Sequence, residues 1–296
     1  MRTAVGDIIA TIPGRLKKAR RDTDIVAVGD HVTVTRQKDG SGIVEAVAER
    51  ASALSRVRPV ARGRSLSADR EQVLVANPDQ LVFVFSMQNP APSLRKLDRF
   101  LVVAEMNELT AVICINKVDL TGLPAAQALF QRYADIDYRV IYTSVKANIG
   151  IIELRDCLRG KLSVLTGSSG VGKSSLLNAV QPGLGLRVRE VSEATGKGLH
   201  TTRHAELFVL EGGGYVADTP GIRGLALFDL EYTEVDAYFR EIAPLVAQCQ
   251  FNDCTHKHEP GCAVRTAVQN GAIHPDRYES YLRLREEHEK LDEELY

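Results

Sequence analysis

The stretch that most constrains this chain runs from Lys161 to Val180, KLSVLTGSSGVGKSSLLNAV. Leu162, Val164 and Leu165 form a short apolar run that reads as a strand, and a helical pattern begins at Lys173. Between them stand Gly167, Ser168, Ser169, Gly170, Val171, Gly172, Lys173 and Ser174. This is the phosphate-loop spelling G-x-x-x-x-G-K-[ST], in the strand-then-helix setting that gives it meaning. Glycines permit the tight turn, so successive backbone N–H groups can point at one phosphate. Lys173 is expected to reach the β- and γ-phosphates and Ser174 to hold Mg²⁺. Ser175 follows at a helix N-terminus that favours an anion. The stretch implies a nucleoside triphosphate site.

Around this loop the chain alternates. Gln72–Ala76 and Gln80–Ser86 read as strands, with a turn at Asn77, Pro78 and Asp79. Helix Leu94–Asn107, strand Ala111–Ile115, helix Ala125–Tyr133, strand Arg139–Tyr142 and helix Gly150–Leu158 then lead into the phosphate-loop strand. Strands alternating with helices imply a parallel, doubly wound α/β sheet, which binds ligands at the C-terminal ends of its strands. Two motifs fall at such ends. After Ala111–Ile115 stand Asn116, Lys117, Val118 and Asp119, the spelling N-K-x-D. Asp119 can accept two hydrogen bonds, from the N1–H and 2-amino group of guanine. Adenine would leave that buried carboxylate partly unpaired, and this supplies discrimination. Lys117 would lay its stem over the base, and Asn116 would tie this loop to the phosphate loop. One βα unit later, Ser144, Val145 and Lys146 resemble the S-A-K loop that backs guanine in GTPases. Val145 replaces the usual Ala where a backbone contact is expected.

Beyond the phosphate-loop helix, Gly196–Arg203 (GKGLHTTR) reads as a loop that a γ-phosphate and Mg²⁺ would order. Thr201 or Thr202 would be the magnesium ligand, with Thr202 favoured. Ala205–Leu210 and Gly214–Ala217 form a hairpin over Gly212 and Gly213, delivering Asp218, Thr219, Pro220 and Gly221. In this D-x-x-G motif Asp218 would act on Mg²⁺ through water, and the Gly221 N–H would meet the γ-phosphate. Ras-like enzymes place a water-orienting Gln next, but here Ile222 stands there and cannot orient water. His200 is the candidate for that role, against a reading as an ordinary loop histidine. The order is permuted, since N-K-x-D and S-V-K precede the phosphate loop. Neighbouring domain termini make such a circular permutation tolerable.

The flanks differ in charge. Residues 1–70 carry 14 Lys/Arg against 8 Asp/Glu, while the whole chain of 296 residues has a net charge of −1. A basic N-terminal module on an acidic body suggests a polyanionic partner. Asp7–Ile12, His31–Thr35 and Gly42–Val47 are its candidate strands, and a small OB-type β-barrel short of a strand fits. Arg15, Lys17, Lys18, Arg20, Arg21, Arg56, Arg58, Arg62 and Arg64 supply what phosphate contacts need. Arg58–Arg70 reads as a linker. At the other end, Cys249, Cys254, His256 and Cys262 match a closed four-ligand structural zinc site, with His258 as the alternative to His256. Five cysteines, three of them beside a histidine, argue for a reducing cytoplasm and a metal rather than disulfides. Cys114 and Cys157 read as core residues. Thr233–Ile242, Ala263–Gly271 and Asp276–Leu295 read as helices. No apolar run approaches the roughly 18 residues of a membrane helix, and the N-terminus lacks a signal-peptide apolar region.

Together, VGDHV, RASALSR, the permuted motifs, GKGLHTTRH and CTHKHEPGCAV resemble the RsgA/YjeQ (EngC) family of circularly permuted, ribosome-associated GTPases. The likeness covers nearly the whole chain. It implies residues 1–66 as an OB-like RNA-binding domain, 67–228 as a permuted α/β P-loop GTPase and 229–296 as a mostly α zinc-binding domain. It also implies GTP or GDP with Mg²⁺, one structural Zn²⁺, and weak hydrolysis stimulated by the small ribosomal subunit. The partners implied are that subunit and its 16S rRNA, met by a cytoplasmic monomer. Two rival readings stay open: a P-loop ATPase, and an rRNA-binding module in which GTP only reports state.

Overall fold

The structure is a computed structural model and describes residues 1–3, 6–14, 16, 24–57, 71–186, 206–218 and 230–293. The expected linker 58–70 and the basic residues Arg15, Lys17, Lys18, Arg20 and Arg21 lie outside these residues.

Seven short strands come first: β1 (Arg2–Thr3), β2 (Gly6–Asp7), β3 (Ala10–Thr11), β4 (Val32–Arg36), β5 (Gly42–Val47), β6 (Ala53–Val57) and β7 (Glu71–Ala76). They form a β1–β2 ribbon, a three-stranded β3-β5-β4 sheet and an antiparallel β6–β7 pair. Among the described residues these strands form separate small sheets, which do not by themselves make up the expected OB-type barrel. The expected single strand Asp7–Ile12 is broken in two. Gly6 lies at φ +119°, and β2 pairs with β1 whereas β3 pairs with β5.

Polar contacts at the Asn77 turn stitch the N-terminal strands to the phosphate-loop strand. The Asn77 side chain accepts from the Ala51 N–H at 2.8 Å and donates to the Gly29 carbonyl at 3.1 Å. Gly29, at φ +96°, is required there, because a Cβ would meet the Ala76 carbonyl oxygen at 2.0 Å. Arg50 pairs with the buried Asp30 carboxylate at 2.8 Å. Asp79 then accepts from the Leu162 N–H at 2.6 Å, at the base of the phosphate-loop strand.

The second half of the fold is the expected doubly wound sheet. Its elements are β8 (Gln80–Ser86), α1 (Leu94–Met106), β9 (Thr110–Asn116), α2 (Leu123–Ala134), β10 (Arg139–Tyr142), α3 (Ile151–Leu158), β11 (Leu162–Thr166), α4 (Lys173–Val180), β12 (Glu206–Val209) and β13 (Tyr215–Asp218). The strand order is β10-β9-β8-β11-β13-β12, parallel except for β12, which returns antiparallel to β13. Period-two alternation divides the core. Leu81, Phe83 and Phe85 of β8 pack on one face with Leu97, Phe100, Ala126 and Phe130 of α1 and α2. Val82 and Val84 pack on the other with Leu154, Leu176 and Leu177 of α3 and α4. Every β8 residue is buried, as a central parallel strand requires. Gln80 tolerates that position because its amide donates to the Cys157 carbonyl and the Ser163 hydroxyl. Cys114 and Cys157 are buried and free, in line with their reading as core residues.

The C-terminal region adds α5 (Ala243–Val246), α6 (Ala263–Gln269) and α7 (Pro275–Glu293). The expected helix Thr233–Ile242 is only a 3₁₀ turn, Val235–Tyr238. Its apolar spacing is helical because Val235, Phe239 and Ile242 all enter the core, but the Asp236 carbonyl accepts from Phe239 N–H, one residue short of an α-helical bond. Among the described residues no helix is long and apolar enough to cross a membrane.

Candidate nucleotide site and metal centre

Parallel pairing brings the motif-bearing strands out at one edge of the sheet. Asn116 at the end of β9 lies beside Ser86 at the end of β8, and Asp218 of β13 lies beside Leu165 of β11. The phosphate loop leaves β11 at Gly167, whose φ is +157°; a Cβ there would strike the Val84 carbonyl oxygen at 2.2 Å. Gly172, at φ +97°, is equally obligatory, since its Cβ would lie 2.4 Å from the Asn116 amide nitrogen.

Asn116 joins the two loops as its residue type suggested. Its buried amide donates to the Val171 carbonyl at 2.8 Å, and its oxygen accepts from Thr143 at 3.2 Å. Lys117, at φ 59°, sends its ammonium to the Gly170 carbonyl at 2.7 Å and also to that of Asn89. Burial pulls the Lys117 ammonium below its ordinary range, while Asp119 opposes that shift. Val118 is buried and anchors the loop in the core.

Asp119 accepts from the Ser144 hydroxyl at 2.5 Å, and that hydroxyl accepts from the Ala147 N–H at 3.0 Å. The N-K-x-D and S-V-K loops are therefore held against each other. Asp119 is exposed here, where the sequence reading expected a buried carboxylate. Val145 is 37% exposed and Lys146 is exposed, consistent with a backbone contact at that position.

Lys173 folds back onto its own loop, donating to the carbonyls of Gly167 and Ser168 at 2.8 and 3.0 Å. Val171 is buried and Ser169 exposed, while Gly170 and, at the start of α4, Ser174 and Ser175 are half-buried. One cation went unnoticed in the sequence. Lys96, in the first turn of α1, donates to the Ser168 hydroxyl at 3.1 Å and lies 5.5 Å from the Phe100 ring centroid. Its signal was available in principle, as a basic residue just past the C-terminal end of a central strand. His200, Thr202 and Gly221 lie outside the described residues. For Asp218 the structure describes the backbone, not the side chain.

The second cluster is in the C-terminal region. One ligand atom from each of Cys249, Cys254, His256 and Cys262 lies within 4.8 Å of every other. Cys254, His256 and Cys262 are buried, and three thiols with one imidazole are a donor set that suits tetrahedral zinc. His258 is exposed, whereas it is the His256 ring that lies among the three sulfurs. Glu259 shapes this loop by accepting from the Thr255 and His258 N–H groups and the Thr255 hydroxyl. Burial works to raise its pKa, but these bonds, Thr255 foremost, bring it down to about 2.

The family model for the RsgA GTPase matches residues 47–228. The chain belongs to the RsgA GTPase family. It is therefore a GTP hydrolase, with the permuted order of that family. It is 45% identical over 280 residues to "Small ribosomal subunit biogenesis GTPase RsgA" of Gemmatimonas aurantiaca, covering 94% of this chain and 89% of the relative. The protein of the same name from Thermotoga maritima is 43% identical, covering 88% and 82%. Among solved structures, YjeQ from Thermotoga maritima superposes with a TM-score of 0.77 at 38% identity, covering 96% of this chain and 91% of that one. YloQ, described as a circularly permuted GTPase, gives 0.70 at 34% identity, covering 92% and 83%.

Proposed function

We propose that this RsgA-family GTPase acts in biogenesis of the small ribosomal subunit, cycling between GTP and GDP on a subunit that stimulates its turnover. One observation carries the nucleotide assignment: the Asn116 amide on the Val171 carbonyl, which locks the guanine loop to the phosphate loop across the sheet. The names borne by its relatives supply the ribosomal part. In this reading Asn116, Lys117, Val118 and Asp119, with Ser144, Val145 and Lys146, take the base. Gly167 through Ser175 take the phosphates, and Ser174, Thr202 and Asp218 serve Mg²⁺. Gly221 senses the γ-phosphate. Mg²⁺ held by these residues would supply positive charge to offset the negative charge that develops during phosphoryl transfer.

His200 is proposed to orient the attacking water once the subunit orders its loop. His200→Ala should abolish subunit-stimulated turnover and leave GTP affinity near normal; unchanged stimulated turnover removes the assignment. The basic N-terminal region, OB-like in this reading, and the C-terminal region are proposed to meet 16S rRNA. One Zn²⁺ would be held by Cys249, Cys254, His256 and Cys262, in a monomer working in the cytoplasm. The divisions 1–66, 67–228 and 229–296 are retained as proposed domains.

The deciding experiment measures phosphate release with and without purified small subunits. Strong stimulation is expected, and none would favour the reading in which GTP only reports state. ATP competing with a labelled GDP analogue as well as GTP does would overturn the role given to Asp119.

A further inference from the structure

The two nitrogens of His256 face different partners. Nδ1 lies 3.4 Å from the Cys262 sulfur and 3.6 Å from the Cys249 sulfur. Nε2 lies 3.2 Å from Oδ2 of Asp236, on the opposite side of the ring. Asp236 is not part of the Cys/His spacing pattern. It comes from the 3₁₀ turn Val235–Tyr238, brought in because Val235 and Phe239 bury on either side of it.

An imidazole nitrogen that binds a metal must present a lone pair, so a neutral ring keeps its single proton on the other nitrogen. With Nδ1 among the sulfurs, that proton belongs on Nε2, where the Asp236 carboxylate accepts it. The pair is dry, with His256 fully buried and Asp236 9% exposed. No water can replace the carboxylate without cost, so losing it would leave a buried N–H unsatisfied. The backbone of His256 is fixed separately. Its φ is 61°, and the Tyr278 hydroxyl donates to its carbonyl. The ring packs against Tyr281, with centroids 5.8 Å apart, and Asp236 supplies the polar anchor on its Nε2 side.

We propose that Asp236 is the positioning residue of the metal centre, fixing His256 as the Nε2–H tautomer so that Nδ1 is the ligand. This rests on the zinc reading above. Carboxylates placed this way fix ring orientation and raise ligand basicity, and their removal costs roughly 10- to 100-fold in metal affinity.

The test uses the full chain loaded with zinc and titrated with a chromophoric chelator. Wild type should hold one zinc per chain. Asp236→Ala should weaken zinc roughly 10- to 100-fold, and Asp236→Asn, which can still accept from Nε2–H, should weaken it less. Far-ultraviolet circular dichroism of the zinc-loaded variants checks the fold. Long-range ¹⁵N–¹H correlation spectra of the zinc-loaded wild type should show His256 protonated at Nε2 and metallated at Nδ1, a readout that needs no variant. Equal zinc affinity in wild type and Asp236→Ala, or metal on Nε2, overturns the assignment. A wild-type chain that binds no zinc overturns the metal reading itself, and this proposal with it.

Discussion

Asn116 shows how much a single side chain can specify. It ends a strand buried from Ala111 onward, yet both ends of its amide are satisfied, by Val171 and by Thr143. Asn116→Ala leaves the Val171 carbonyl without that donor and frees the phosphate loop from the guanine loop. Losing a buried hydrogen bond costs about 1–3 kcal/mol, so affinity for a fluorescent GDP analogue should fall roughly 5- to 150-fold. Gly172→Ala is expected to act through the same contact, because its Cβ would displace the Asn116 amide. Lys96 belongs to this scale too. Among the described residues it has no carboxylate partner, and its ammonium rests on Ser168. Lys96→Met should weaken GTP more than GDP, with the difference largest at low salt. Equilibrium titration of both nucleotides at two ionic strengths would show it.

At the scale of elements, α1 is the piece between two others. Lys96 reaches the phosphate loop, while two residues on Asp98 faces α7. Asp98 is buried and accepts from Tyr133, Arg277 and Ser280, and Arg277 also pairs with Glu241 at 2.6 Å. The Arg277 guanidinium is only 2% exposed and lies 4.6 Å from the Phe239 ring centroid. Burial would lower its pKa, but Glu241 and Asp98 raise it well above the usual value, so it stays charged. Such a cluster says little about net stability, but breaking it is costly. Arg277→Met would leave two carboxylates buried without their cation, an effect on the order of 3–5 kcal/mol. Thermal unfolding should show a clear drop in Tm, and a second substitution, Asp98→Asn, should recover part of it.

Across the whole molecule, the Cys/His loop and the GTPase sheet share one hydrophobic core, in which Cys254, Cys262 and Tyr281 join Leu97 and Phe100. Helix α7 spans the two, with Tyr278 and Tyr281 holding the carbonyls of His256 and Thr255 while Arg277 holds Asp98. Removing the proposed zinc should therefore be felt beyond the loop. Chelation is expected to raise amide exchange in α6 and α7 and, more weakly, at the start of α1. Hydrogen-exchange mass spectrometry with and without chelator would measure this, and protection unchanged in α1 would confine the effect to the C-terminal region. Acid acts on the same loop through Glu259. Its pKa of about 2 lies below its ordinary value, so its stabilising bonds are complete above the ordinary range and are lost as pH falls toward 2. Glu259→Gln should flatten that acid limb in a pH titration of unfolding.

The α/β alternation, the nucleotide motifs with their permuted order, and the four proposed metal ligands are all written in the amino-acid chain itself. They are local facts, carried by glycine positions, residue type at strand ends, and spacing within one loop. Strands Gln80–Ser86 and Arg139–Tyr142 were legible to the residue, the first because burial on both faces leaves a continuous apolar run with sharp polar ends. Other features depended on long-range packing. The 3₁₀ turn at Val235–Tyr238 shares its apolar spacing with a helix, so only the contacts of Asp236 distinguish it. The N-terminal strands are too short for their pattern to fix how they pair, and the described residues show separate small sheets. Lys96, Asp98 and Asp236 carry no motif. Their roles arise because the tertiary fold brings them to a phosphate loop, a buried arginine and a histidine far away in the chain.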